Sequence, residues 1–175
     1  MNLKDRYLSG QRCGDFITGS GDHEALFRHH YNKADVRDED SLRDLFQGKL
    51  HILCLTEVWC GDSLAILPVI CRLVEKSGDT EIRVLRRDEH PDLMDQHLTR
   101  GGRAIPIFIF LDENFKPLGR FGPRPSEAQA IFESHRAKIQ SGDIEKAAVH
   151  KMIRKFYARD RGRSIVAEVR KILSD

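Results

Sequence analysis

The sequence predicts an α/β domain, with a mixed central sheet of about four strands flanked by helices and extra helices at both ends. Three observations carry that expectation. Leu50-His51-Ile52-Leu53-Cys54-Leu55-Thr56 is an apolar run of strand length, as expected of a central strand covered on both faces. Leu64 to Val74 carries a single charge, Arg72, and so reads as a helix packed against a sheet over most of its surface. Further on, Glu81-Ile82-Arg83-Val84-Leu85 alternates, and Pro106 to Leu111 and Lys116 to Phe121 are strand-like runs joined by the turn formers Asp112-Glu113-Asn114.

From the N-terminus, residues 1–47 read as a helical extension of short helices and loops, punctuated by Gly10, Gly14, Gly19 and Gly21. His23 to Tyr31 has the pattern of a helix with Leu26, Phe27, His30 and Tyr31 on one side. Ser41 to Phe46 reads as another, led in by Asp38-Glu39-Asp40. In the core, residues 48–140, the strand at 50–56 passes through the turn Val58-Trp59-Cys60-Gly61-Asp62-Ser63 into the Leu64 helix. Pro91 begins a helix to Leu98, and proline at the head of the third strand is tolerated there. Ser126 is placed to cap a helix to about Ile139. In the last segment, 141–175, one helix repeats Ile144, Ala148, Met152 and Phe156. The next repeats Ile165, Val169 and Ile172 with Leu173. These stripes are expected to pack onto the core, or else to form an intersubunit surface in a homodimer rather than a monomer.

The bulk numbers bound the function. The chain has 175 residues, 40% hydrophobic and 32% charged, which suits a soluble globular protein. No stretch approaches the roughly 20 apolar residues of a membrane helix, and Met1 to Asp5 lacks the apolar core of a signal peptide, so a cytoplasmic location with no membrane partner is expected. A net charge of +2 gives no reason to expect a nucleic-acid partner. From Ser141 onward, however, nine Lys and Arg face five Asp and Glu; a solvated basic helix face or a binding surface would explain them. The four cysteines, Cys13, Cys54, Cys60 and Cys71, are widely spaced and expected to be free thiols. None forms a CxxC pair, so no zinc or other metal site is expected, and His29-His30 is read as a surface and a core residue.

The order strand, Trp-Cys turn, helix, strand, helix, strand, strand, helix brings a resemblance into view. Trp59-Cys60-Gly61-Asp62-Ser63 resembles the WCGPC motif of thioredoxins. Pro68 stands where thioredoxins kink their active-site helix, and Asp88-Glu89-His90-Pro91 resembles their DxNP loop. Ile105-Pro106 falls where they have a cis-proline, and Gly119 and Gly122 lie near the glycine of the last strand. Gly101-Gly102-Arg103-Ala104-Ile105-Pro106 is similar to a segment of a bacterial thioredoxin-like subgroup with a WCGD-x turn. The resemblance implies the thioredoxin fold over residues 48–140, Pro106 beside Cys60, and backbone pairing of substrate with Ile105.

The residues carry a physical logic of their own. Cys60 sits where a strand ends and a helix begins, and the helix N-terminus favours its thiolate, while the nearby Asp62 opposes it. Arg103 would stabilise that thiolate, bind a substrate carboxylate, or be solvated. Trp59 and Gly61 flank the sulfur. Ser63 stands where a second cysteine would release a mixed disulfide, which a hydroxyl cannot do. Cys71 lies 11 residues along the helix from Cys60, about 16 Å at 1.5 Å per residue, beyond the roughly 7 Å a disulfide spans. Cys54 reads as core, where thioredoxins keep a buried acid. Cys13 remains able to reach Cys60.

Two functions follow. In one, Cys60 performs monothiol exchange with protein or small-molecule thiols and disulfides. No bound cofactor is needed, and glutathione, bacillithiol or another low-molecular-weight thiol acts as co-substrate. In the other, a redox-inactive thioredoxin-fold protein binds or scaffolds a partner. A redox sensor pairing Cys60 between subunits is a third arrangement.

Overall fold

A computed structural model describes residues 2–36, 50–75 and 80–174 of the chain. The helix expected at Ser41–Phe46 and the boundary at residues 47 and 48 lie outside the described residues.

The strands are β1 (Gln11–Arg12), β2 (His51–Thr56), β3 (Glu81–Arg86), β4 (Ile107–Leu111) and β5 (Pro117–Phe121), in the order β1-β3-β2-β4-β5. β2 and β3 run parallel, as a strand–helix–strand crossover requires, and the other neighbours are antiparallel. β1 was not expected. It comes from the N-terminal segment and pairs Gln11 with Val84 and Arg12 with Arg83 at the sheet edge, too short to leave a periodic signal.

Every residue of β2 and β4 is buried, and their side chains alternate between two cores. Ile52, Cys54, Phe108 and Phe110 enter the larger one, together with the helix α4 (Gly61–Glu75). Leu53, Leu55, Ile107, Ile109 and Leu111 enter the smaller one with Tyr7, Leu93 and Met94. Tyr7 belongs to α1 (Leu3–Ser9), which covers this second face. The buried Arg6 anchors α1 to the loop after β3 through the Asp92 carboxylate and His90 Nδ1, the latter at 2.7 Å.

α2 (Cys13–Thr18) and α3 (Glu24–Lys33) pack on the larger core through Phe16 and Phe27, which meet edge to face. Leu26, expected beside Phe27, is instead 43% exposed. The helix expected from Pro91 to Leu98 is shorter, α5 (Pro91–Met94), and tightens into a 3₁₀ turn at Asp95–His97. The helix expected to run to Ile139 breaks at His135 into α6 (Ser126–Ser134) and α7 (Arg136–Ser141). Pro125 occupies the cap position, and both the N–H and the hydroxyl of Ser126 donate to Glu168 at 2.6 Å, so Ser126 docks the C-terminal segment instead of capping.

That segment forms α8 (Lys146–Asp160) and α9 (Arg163–Ser174). α8 buries Val149, Ile153 and Tyr157, one residue on from the expected stripe, and leaves Met152 39% exposed. α9 buries Ile165, Val166 and Val169 and lies on β5. Gly119 makes room for it, since a Cβ there would sit 2.5 Å from Ile172 Cγ2. Among the described residues no helix is long and apolar enough to cross a membrane.

Candidate functional site

The site grows from the end of β2. The Cys60 N–H donates to the Glu57 carbonyl at 3.2 Å, and Leu64 N–H donates to the Cys60 carbonyl at 3.0 Å, so Cys60 stands immediately before the first turn of α4. Glu57 is itself buried. Its carboxylate accepts from Asp88 N–H at 3.0 Å and faces the Arg86 guanidinium at 3.5 Å, tying the turn to the loop after β3. Cys60 is only 9% exposed, and its thiol donates to the Ile105 carbonyl at 3.4 Å.

The Ile105–Pro106 bond is cis, as is Gly122–Pro123. The two segments touch: Gly122 has φ +115°, and a Cβ there would lie 2.1 Å from the Pro106 carbonyl oxygen. Only glycine allows β5 to leave the sheet so close to Pro106.

Ser63 lies wholly buried in the first turn of α4 and accepts a hydrogen bond from the equally buried Thr56 hydroxyl. Cys54 is buried as well. Desolvation first, and the neighbouring Cys60 second, push its thiol well above the ordinary range, so it stays protonated and inert.

Asp62 departs from the sequence expectation of an acid acting against Cys60. Its carboxylate pairs with Arg124 at 2.7 Å and accepts from the Tyr157 hydroxyl at 2.8 Å. Both ion-pair side chains are 13% exposed. Burial raises the Tyr157 phenol well above its usual range, with Asp62 adding to the effect, so it remains a donor. Asp62 thus ties the turn to the loop before α6 and to α8.

Arg103 is half exposed, as one of its expected arrangements has it, and forms a two-pronged bond with Asp95, Nε to Oδ1 at 2.7 Å and a second nitrogen to Oδ2 at 2.8 Å. Its carbonyl accepts from Arg87 at 3.2 Å, and the Arg87 guanidinium lies 4.9 Å above the ring of Trp59, itself 54% exposed. Gly61 is exposed with open space around it.

These pieces enclose a cavity of about 460 Å³. Trp59, Cys60, Gly61, Asp62, Arg103 and Ile105 line one side, and α6 and α8 supply the other through Phe132, His150, Ile153, Arg154 and Tyr157. Seven Arg or Lys residues reach this cavity against one acid, Asp62. Arg100 and Arg136 pair with Glu133, and Arg87 with Asp88.

The cysteines give a second correction. Cys13 and Cys71 are joined by a disulfide across 58 residues, not free thiols. The bond pins α2 to α4 and removes Cys13 from reach of Cys60 in this state. Cys54 and Cys60 are the free thiols. No cluster of metal-ligating side chains exists among the described residues, and the His29 and His30 rings stack edge to face.

A family model described as thioredoxin matches residues 10–139. The chain belongs to the thioredoxin family. The sheet order and the strand-to-helix turn at Cys60 are those of a thioredoxin-like fold. Two crystal structures share it. One is of an HIV epitope-scaffold, with TM-score 0.73 and 19% identity over 99% of this chain and 98% of that one. The other is of a protein of unknown function from Pseudomonas aeruginosa, with TM-score 0.69 and 19% identity over the same shares. No curated protein matches the chain.

Arg124, Tyr157 and the Cys13–Cys71 bond were missed in the sequence. The spacing of Val149, Ile153 and Tyr157, each four residues apart, was the available signal for Tyr157. Arg124, in Gly122-Pro123-Arg124-Pro125, gave none.

Proposed function

We propose that this thioredoxin-family protein is a monothiol oxidoreductase of the WCGD-x type, working through Cys60. One observation carries the reading: a free cysteine stands at a helix N-terminus against the Ile105 carbonyl, while the resolving position is a serine sealed into the core with Thr56. The Cys60 thiolate attacks a substrate disulfide RS–SR′, forming Cys60–S–S–R and releasing R′S⁻. An external thiolate R″S⁻ attacks that mixed disulfide, yields R–S–S–R″ and restores the Cys60 thiolate. A second R″SH then reduces R–S–S–R″, so two external thiols supply the two electrons. Ile105 and Pro106 hold the extended substrate beside the sulfur, Trp59 and Gly61 border it, and the α4 N-terminus stabilises the thiolate.

The test is trapping. Wild-type protein incubated with oxidised glutathione should gain one glutathione by intact mass, mapped to Cys60, and Cys60→Ser should gain none. The low exposure of Cys60 favours a second reading, a binding protein without turnover. It holds if native Cys60 forms no mixed disulfide while Cys60→Ser keeps its partners.

A further inference from the structure

The chemistry proposed for Cys60 leaves the co-substrate open, and the cavity beside it narrows the choice. Five of the seven Arg and Lys residues lining the cavity are neutralised: Arg87, Arg100, Arg103, Arg124 and Arg136 each face a carboxylate. Lys146 and Arg154 have no acidic partner among the described residues, and both reach the cavity. They lie eight residues apart on α8 with His150 midway, which places all three along one face of the helix. Two further polar atoms of this lining, Arg124 Nε and His150 Nε2, are shielded from solvent and have no hydrogen-bond partner among the described residues. The cavity therefore holds an excess of unpaired positive charge and unused hydrogen-bonding capacity a short distance from a thiol.

We propose that the cavity binds a small disulfide or thiol carrying at least two negative groups, with its sulfur at Cys60 and its anionic groups against Lys146 and Arg154. The inference rests on Cys60 being the nucleophile. Size favours a small molecule over an acidic protein segment. The volume of about 460 Å³ lies within the range of small-ligand sites. Cys60 is 9% exposed and sits beneath an α8 held by the Tyr157–Asp62 bond, which restricts the approach of a folded chain. The exchange itself is the balanced step given above, with R an anionic carrier.

The experiment measures second-order rates of mixed-disulfide formation at Cys60 with three probes: dithiodipropionate (two carboxylates), hydroxyethyl disulfide (neutral) and cystamine (two ammonium groups). Each rate is divided by that of an unstructured cysteine peptide with the same probe. A disulfide-linked acidic peptide is the fourth probe. The normalised rate for dithiodipropionate should exceed that for the neutral probe by about tenfold at low salt, shrinking as ionic strength rises, with cystamine slowest. Lys146→Gln/Arg154→Gln should reduce the ratio to under about threefold, whereas Lys151→Gln/Lys155→Gln, exposed on the same helix but outside the cavity, should keep it. Equal normalised rates for all three small probes overturn the inference and leave the monothiol reading standing. An acidic peptide outrunning dithiodipropionate tenfold also overturns it, assigning the charge to a protein partner. No reaction of Cys60 with any probe overturns both.

Discussion

Asp62 is the joint between the Cys60 turn and the C-terminal helices, and replacing it with asparagine tests that reading. The substitution keeps an oxygen for the Tyr157 hydroxyl but removes the charge that pairs with Arg124 at 2.7 Å. Both side chains are 13% exposed, so solvent only partly compensates the stranded guanidinium. Removing one partner of such a pair costs about 3 kcal/mol, the low end for a buried pair, and for a chain of this size that lowers Tm by about 6–12 °C. Tyr157→Phe deletes one hydrogen bond to a charged group, a loss of about 1.5–3 kcal/mol. Arg124 and Asp62 should also be non-additive: Asp62→Asn/Arg124→Met should cost at least about 1.5 kcal/mol less than the sum of the singles. Urea unfolding followed by circular dichroism, with unchanged m-values, measures wild type, the three single variants (Arg124→Met among them) and the double variant. If Asp62→Asn lies within about 0.5 kcal/mol of wild type and the cycle is additive, the joint carries no weight and the reasoning is refuted.

Other expectations follow from the same geometry. Gly122→Ala should cost more than about 3 kcal/mol, because its Cβ falls 2.1 Å from the Pro106 oxygen at φ +115°, whereas Gly14→Ala, with nothing within 4 Å, should be tolerated; thermal melts of the pair decide it. Reducing the Cys13–Cys71 bond, or replacing Cys13 with serine, should lower stability by about 4 kcal/mol for a 58-residue loop, read from urea curves with and without dithiothreitol. His30, His97 and His150 are held below the ordinary value of 6.5, in each case chiefly by burial, with His29, Arg120 and Arg124 respectively adding to it. The unfolded chain therefore takes up their protons first, so stability is full above pH 6.5 and falls on acidification below it. Urea midpoints at pH 7.5 and 5.5 should show this fall, His30→Gln should lessen it, and a midpoint unchanged or higher at pH 5.5 would contradict it.

The fold was legible wherever burial imposed a period. β2 and β4 announce themselves because both faces are covered, and α4 because its stretch from Leu64 to Val74 carries a single charge, Arg72, and packs between sheet and helices. The turn at Trp59-Cys60 was legible because its chemistry is local. What joins distant segments was not. The Asp62–Tyr157 bond spans 95 residues and the Cys13–Cys71 bridge 58, and neither leaves a mark in local pattern. The stripe of α8 was misplaced by one residue for a related reason. Tyr157 is buried with its hydroxyl bonded to Asp62, a long-range partner, and the apolar repeat of Ala148, Met152 and Phe156 next to it has the same period. Asp62 was read as a charge acting on Cys60, and Arg103 as a thiolate stabiliser, a carboxylate binder or a solvated side chain; the structure pairs them with Arg124 and Asp95, which no local pattern announces.

The central claim is that nothing inside the protein resolves the Cys60 mixed disulfide. It is tested most directly by preparing Cys60 loaded with glutathione and following release by mass spectrometry as the concentration of added thiol is varied. The account expects a release rate proportional to added thiol, with an intercept at zero. Release that proceeds without added thiol, at a rate independent of its concentration, would reveal an internal resolving group and contradict the account.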